Sequence, residues 1–415
     1  MDFLSTLIIM ICMSTGGTVE RYAAAAQAWL ESVAKVRPRP VEARWGEGSD
    51  DVSVFHDLTE EQERRLLDEA MAWQRIKFDA GYGAISWPVE YGGADLPAEY
   101  EAAFRQVEAE FDVPPSHETF SVTVGLIAPT IRAFGTHEQR DRFIRPFLRT
   151  DDLCCQLFSE PGAGSDLASL STRAVADGDG WVITGQKVWS SGAQYAGWGE
   201  LIARTDPSAK HAGLTAFLVP MDTPGVKVHP IRQMSGGSSF NEVFLDEVRL
   251  PDELRLGGVG DGWKVALTTL GFERAGSGGG RHVGGSWEQL VALARHLDRT
   301  GDPVVRQQLA RCYVNERVRS LVRQRAEHSS ARGRPPGPEG SIGKLLWTRN
   351  LAEISDVAAG LLGPRLTADT GEWGTYAWAA HVLGAPGYRI AGGSDEIQHN
   401  IIAERVLGLP RDQKA

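Results

Sequence analysis

Apolar positions recur at helical spacing from about residue 20 to 150. Within that stretch Thr59-Glu-Glu-Gln62 and Thr136-His-Glu-Gln139 each read as a capping box ahead of an amphipathic run, and after the first of them Leu66, Ala70 and Trp73 are expected to share one helical face. Between two such runs, residues 84–97 (AISWPVEYGGADLP) hold Pro88, Gly92, Gly93 and Pro97, which cannot all sit inside a helix, so a structured loop is expected. From about 152 to 256 the pattern changes to short runs rich in Val, Ile, Leu and Phe. STRAVADGDGWVITGQKVWSSG pairs two such runs across Asp177-Gly178-Asp179-Gly180, as a hairpin would. GLTAFLVP, VKVHPI and NEVFLDEVRLP add strands separated by Gly and Pro, as in an antiparallel barrel or sandwich. Beyond Gly262 the helical pattern returns, interrupted by the glycines between Gly276 and Gly285 and by RGRPPGPEG at 332–340.

The order helices, strands, helices predicts an α+β multidomain chain. Its expected parts are an N-terminal helical domain over 14–150, a middle β-barrel or sandwich domain over 151–256 and a C-terminal helical domain over 257–415. Residues 1–13 read as an apolar leader outside the fold. Leu4 to Met13 is apolar, yet the residues before it are not basic, as a secretory signal requires, and the run is shorter than the roughly 20 residues of a membrane span. We therefore expect translation to start at Met13, which the intact mass of native protein would check. Length and composition fit a soluble globular protein of several domains: 415 residues, 42% of them hydrophobic and 23% charged. A net charge of −11 argues against nucleic acid as a partner. The four cysteines form no CxxC pair and no disulfide framework, which suggests a reducing, cytoplasmic setting. Arg311 to Arg349 carries nine basic against three acidic residues, read first as a solvated helix face and second as a contact for cofactor phosphates or an acidic partner chain.

Missing signatures remove several chemistries. There is no HExxH or CxxC for zinc, no phosphate-binding GxxxxGK[ST], no GxSxG elbow and no complete GxGxxG, so no metal site is expected. The densest functional signal is Gln156-Leu-Phe-Ser-Glu-Pro-Gly-Ala-Gly-Ser-Asp166 followed by Gly185-Gln-Lys-Val-Trp-Ser-Ser-Gly192. Its glycines allow close backbone approach to a flat or phosphorylated ligand, Trp189 offers a stacking face, and Ser159 and Ser191 offer hydroxyls. On composition alone the same residues could be a turn and an ordinary buried tryptophan.

Seven blocks in order, AISWPVEYGGADLP, GTHEQRDRFIRPFLRTDD, LFSEPGAGSDL, GQKVWSSGAQYAGWGELIARTD, NEVFLDEVRLP, GDGW and SDEIQHNIIAERVLGLP, resemble the acyl-CoA dehydrogenases over about residues 80–410. The resemblance implies FAD as cofactor and a C-terminal four-helix bundle. It also implies an acyl-CoA substrate, an electron-transfer flavoprotein or similar acceptor, and a homotetramer or a heterotetramer with a paralogous chain, with no nucleic acid or membrane partner. By motif position, Gln156, Phe158, Ser159, Gly164 and Ser165 would line the flavin or the acyl-CoA, and Trp189 and Ser191 the isoalloxazine ring, with Ser191 at flavin N5. Ser394, Glu396 and Gly363 match positions that contact the adenosine part of FAD.

The chain departs from the commonest family pattern where many members carry their catalytic base in a C-terminal Tyr-Glu-Gly-Thr segment. Here the run is Ile390-Ala-Gly-Gly-Ser394, with Gly392 at the glutamate position. Another branch keeps its base on an earlier helix, and Leu270-Gly-Phe-Glu-Arg274 resembles that segment, so Glu273 is the expected base and Arg274 an expected CoA contact. Gly392 would retain the backbone N–H that stabilises the enolate-like oxygen, and exclusion of water should raise the pKa of Glu273 toward neutrality when substrate binds. Ala391, Gly393 and the glycines from 276 to 285 suggest room for a bulky or branched acyl group. Residues 294–308 lack the phenylalanine of the family segment that reaches a neighbour's FAD, and Gly363-Pro364 replaces a paired glycine. Both features resemble an actinobacterial steroid-degrading branch that forms mixed tetramers. Two other readings compete: a flavin monooxygenase on the same fold, and a catalytically weak subunit that completes a partner's FAD site.

Overall fold

A computed structural model of the chain describes residues 18–38, 52–276, 284–331, 337–368 and 375–411. The apolar leader and the expected start at Met13 lie outside those residues. The described residues fall into two units: 18–38, 59–231 and 240–270 in the first, and 52–58, 232–239 and the residues from 271 onward in the second.

In the first unit, helices α1 (Val19–Val33), α2 (Glu60–Asp79), α3 (Ala98–Glu108), α4 (Ala128–Phe134) and α5 (His137–Arg149) precede the sheet. Both capping boxes form. The Gln62 N–H donates to Thr59 Oγ1 at 3.3 Å and the Thr59 N–H to Gln62 Oε1 at 2.9 Å, and Gln139 and Thr136 exchange the same bonds at 3.2 and 3.0 Å. Helix α2 buries Glu63, Leu67, Ala70 and Trp73, so its inner stripe runs through Leu67 and leaves the expected Leu66 half-buried beside it. Trp73 joins Tyr22, Leu30, Tyr82, Phe104 and Phe111 in an aromatic core, with Tyr82 stacked on Phe104 at 4.9 Å. The loop at 84–97 is ordered by Gly92, at φ +89°, and by Gly93, where a Cβ would lie 1.9 Å from the Trp87 carbonyl oxygen. Ahead of α4, Ser121–Ile127 winds as a π-helix, an irregularity frequent at functional sites.

The sheet has eight strands: β1 (Cys154–Leu157), β2 (Arg173–Asp177), β3 (Gly180–Lys187), β4 (Trp198–Arg204), β5 (Leu214–Pro220), β6 (Val226–Ile231), β7 (Phe240–Pro251) and β8 (Arg255–Leu256). Their order is β8-β5-β4-β2-β3-β7-β6, with β1 also on β4. The hairpin expected across Gly178 joins β2 to β3, with Asp177 opposite Gly180. Strand β1 runs parallel to β4, which sets Gln156 opposite Glu200, and β2 meets the far end of β4 at Arg173 opposite Arg204. Strand β5 is buried along nearly its whole length, whereas β6, at the edge of the sheet, keeps no fully buried residue.

The second unit is helical. From Gly271 it holds the C-terminal end of helix α6 (Gly262–Gly276), which carries Glu273, followed by α7 (Trp287–His296), α8 (Pro303–Ala331), α9 (Gly340–Leu362), α10 (Thr375–Tyr388) and α11 (Asp395–Ile401). Leu290, Leu293, Leu309, Ile354, Val357 and Leu361 pack around Trp378. Two glycines expected to open space serve packing instead. A Cβ on Gly284 would come within 2.7 Å of Leu351 and 2.9 Å of His381, and one on Gly285 within 2.7 Å of Trp378. Helical N-terminal and C-terminal parts with a sheet between them give the α+β class expected. Among the described residues no helix is long and apolar enough to cross a membrane.

Candidate active site

In the first unit the two glycine-rich segments are fastened to each other. Ser159 accepts the Val188 N–H at 2.9 Å through its carbonyl, so the end of β1 lies against the end of β3. Beneath this contact is an ion pair shut away from water: Lys187 Nζ donates to Glu160 Oε1 at 2.9 Å and to the Phe158 carbonyl at 3.0 Å, and the lysine is fully buried. Glu160 also accepts the Ser171 N–H and Oγ–H at 2.7 Å each and the Thr172 N–H at 2.8 Å. Burial acts to raise the Glu160 carboxyl, but the Lys187 charge and these donors outweigh it and hold its pKa at about 2. Burial pushes the Lys187 ammonium down to about 8 against the pull of Glu160, which leaves it charged at neutral pH.

This frame presents an open polar surface. Trp189 has left-handed backbone geometry, φ +63°, is 59% exposed, and rests edge-on against Phe240 at 6.0 Å. The buried Gln156 Nε2 has no hydrogen-bond partner, and Cβ atoms on Gly162 or Gly164 would meet nothing within 4 Å. Phe158 is buried and Ser165 exposed. Ser191 Oγ donates to Glu118 Oε1 at 3.4 Å, and Gly192 lets the strand end approach Thr119, where a Cβ would stand 2.1 Å from Cγ2. An unpaired amide donor, an exposed indole and open backbone suit a flat heterocycle with polar edges. A groove of about 400 Å³ in the same unit, lined by Glu31, Lys35, Trp73 and Asp112 among others, contains none of these residues.

In the second unit the structure brings Glu273 and Gly392 together. Gly392 has φ +64°, and a Cβ built on it would stand 2.8 Å from Glu273 Oε1. The carboxylate on α6 thus occupies the space into which a side chain at 392 would project, so a base at one position displaces a base at the other. Gly393, at φ +85°, packs on Gln398, whose Nε2 donates to the Gly392 and Gly393 carbonyls at 3.1 and 2.9 Å. Ala391 is exposed at the start of the turn. Ser394 Oγ caps α11 by accepting the Ile397 N–H at 3.4 Å, and Glu396 is exposed in the first helical turn, where its own backbone N–H and Ser394 lower its pKa. Gly363, at φ +53°, ends α9 with open space around it. Arg274 continues α6, but its side chain lies outside the described ones.

Sequence reasoning passed over Glu160, Lys187, Lys344 and Gln398. The first two stand inside the motif blocks, each with no other charged residue within five positions, and that local isolation was the available signal. Lys344 sits among the buried residues of α9, at a position where a lysine is rarely found without a partner.

Comparison with known proteins places the chain in one family. The acyl-CoA dehydrogenase N-terminal, middle and C-terminal domain descriptions match residues 53–151, 155–248 and 260–407. The chain is 41% identical over 358 residues to the acyl-CoA dehydrogenase IpdE1 of Mycobacterium tuberculosis, spanning 85% of this chain and 91% of that one. A solved Tcur3481-Tcur3483 steroid ACAD aligns with TM-score 0.73 at 27% identity, covering 95% of this chain and 98% of that one. The ChsE4-ChsE5 complex from Mycobacterium tuberculosis aligns with TM-score 0.70 at 26% identity over the same shares. Three consecutive domain matches and 41% identity to a relative over most of both chains establish that the chain belongs to the acyl-CoA dehydrogenase family of FAD-dependent oxidoreductases.

Proposed function

We propose that the chain introduces an α,β double bond into an acyl-CoA thioester, with Glu273 as the base. The observation that carries this reading is the approach of Glu273 Oε1 to the side-chain space of Gly392, where many family members hold their glutamate. A carboxylate at that spot takes the α-proton, while the Gly392 N–H donates to the thioester oxygen as negative charge develops on it. Gln156, Ser159, Gly164, Trp189 and Ser191 would hold the flavin, with Ser394, Glu396 and Gly363 toward the adenosine part and Ser165, Arg274, Ala391 and Gly393 toward the thioester. Bound FAD supplies the acceptor for the hydride that leaves the β-carbon as the double bond forms. The monooxygenase alternative needs no α-carbon base, and the placement of Glu273 favours dehydrogenation over it.

A bulky, ring-bearing or branched acyl group is the substrate class we favour. Gly284 and Gly285 lend this no support, since their space is filled. Support comes from Gly271, two residues before Glu273, where a Cβ would meet nothing within 4 Å, and from the relative described as a steroid ACAD. That relative and the ChsE4-ChsE5 complex each pair two named chains, which supports assembly of this protein with a paralogous partner. An electron-transfer flavoprotein is the acceptor class we expect.

The test is anaerobic mixing of purified protein with a steroid side-chain thioester and, separately, with octanoyl-CoA. Bleaching of the flavin, with a product lighter by two hydrogens, supports the reading, and faster bleaching by the steroid thioester supports the acyl preference. Yellow protein that no thioester bleaches, yet consumes oxygen with a flavin reductase, would transfer the reading to the monooxygenase. Colourless protein that turns yellow on co-expression with a paralogue would assign it the role of a subunit.

A further inference from the structure

Helix α9 buries the polar side chains of Ser341, Lys344, Thr348 and Asn350, of which Lys344 and Thr348 lie one turn apart among Leu345, Leu351 and Ile354. Lys344 is 3% exposed, and burying an ammonium is costly unless its charge is used. Its Nζ donates to the Gly393 carbonyl. Burial lowers its pKa, against the pull of Asp395, Glu273 and Glu396, the carboxylates whose charge acts on it. Asp395 is already matched: it accepts Thr348 Oγ1–H at 2.8 Å and Arg389 Nε–H at 2.8 Å, and its own N–H donates to the Arg389 carbonyl at 3.0 Å. Glu396 is exposed to water, which screens it. Glu273, half-buried and close to the side-chain space of Gly392, is the one of the three proposed to take a proton.

The same contacts fix a tight glycine turn. Gly392 and Gly393 both have positive φ, and their carbonyls are drawn inward by Gln398 and Lys344. With Thr348 and Arg389 gripping Asp395, the turn is held at both ends by α9 and by its own flanks.

We propose that Lys344 is a positioning residue for the dehydrogenation, clamping the Gly392–Gly393 turn and supplying the positive field that keeps Glu273 ionised to accept the α-proton. This rests on the reading of Glu273 as base. Lys344 touches no reacting atom in the scheme and acts through the turn and the carboxylate.

The experiment compares Lys344→Met, Thr348→Val and Glu273→Gln as FAD-loaded enzymes between about pH 6 and 9, by stopped-flow flavin reduction with the thioester that bleaches the parent protein. A second readout is the long-wavelength charge-transfer band of a non-reducible 3-thia-acyl-CoA, which appears on α-deprotonation. Removing a nearby cation raises a carboxyl pKa, so in Lys344→Met the acid limb and the charge-transfer midpoint should both move up by about one pH unit, and the rate below that limb should fall about tenfold. Thr348→Val loosens the turn without changing charge and should lower the plateau with no shift in the limb. If Lys344→Met purifies without FAD, Lys344→Gln, which retains an amide donor for Gly393, gives the decision. Lys344 variants that hold FAD with the parental midpoint and rate overturn the proposal while leaving Glu273 as base. Bleaching by Glu273→Gln at the parental rate removes the base reading, and this proposal with it.

Discussion

Glu200 lies on β4 with no exposed surface, and burial raises its pKa from the ordinary 4.5 to about 8, only partly opposed by Thr269. At neutral pH it is therefore a neutral acid. Thr269 Oγ1–H donates to Glu200 Oε1 at 2.9 Å, and the buried Glu200 Oε2 has no hydrogen-bond partner. Between pH 4.5 and 8 the folded carboxyl keeps a proton that the unfolded one has lost, so the native state binds more protons and stability falls as pH rises. The contribution is complete below about 4.5 and gone above about 8, and each tenfold difference in proton affinity between the folded and unfolded carboxyl is worth about 1.4 kcal/mol. Glu200→Gln keeps the shape and an oxygen that accepts from Thr269 but carries no titrating proton. From about pH 5 to 8 the variant should gain on the parent by about 4 kcal/mol, most of it above pH 6. Urea unfolding of both FAD-loaded proteins at several pH values measures this through the gap between their midpoints. A gap that stays constant across that range would refute a buried neutral Glu200.

Lys187→Met would leave the Glu160 carboxylate buried without its cation, at a cost of about 3–5 kcal/mol. It should lower the unfolding midpoint and weaken FAD retention, and adding Glu160→Gln should recover part of both; a single variant as stable as the parent would contradict the pairing. Gly392→Ala places a Cβ on a left-handed residue, worth about 1–2 kcal/mol of strain, and at 2.8 Å from Glu273 Oε1 it must push the carboxylate aside. Flavin reduction should fall at least about tenfold with FAD content unchanged, and parental turnover would dissociate Glu273 from the Gly392 turn.

Local signals were the most legible part of the chain. The capping boxes at Thr59 and Thr136 and the turn through Gly178 depend on residues within four positions of each other, and they form as read. The phase of α2 was harder, because three apolar residues at 3.6-residue spacing fit two adjacent stripes, and only tertiary packing selects Leu67 over Leu66. The glycines at 284 and 285 read as vacant space because a sequence does not say who the neighbours are, and those neighbours are Leu351, His381 and Trp378. Glu273 was found through resemblance to a family, since no spacing rule ties it to Gly392, more than a hundred residues away. Lys344 and the Glu160–Lys187 pair gain meaning only from partners supplied by folding.

The proposed chemistry depends above all on removal of the α-proton by Glu273. Glu273→Gln removes its negative charge at nearly constant shape, so the decisive measurement is single-turnover flavin bleaching by the thioester that reduces the parent enzyme, with FAD content checked first by the visible spectrum. The expected result is a yellow variant that binds FAD normally and bleaches more slowly by at least about a thousandfold, within the range that general-base catalysis supplies. A yellow variant that bleaches at the parental rate would show that another group takes the proton.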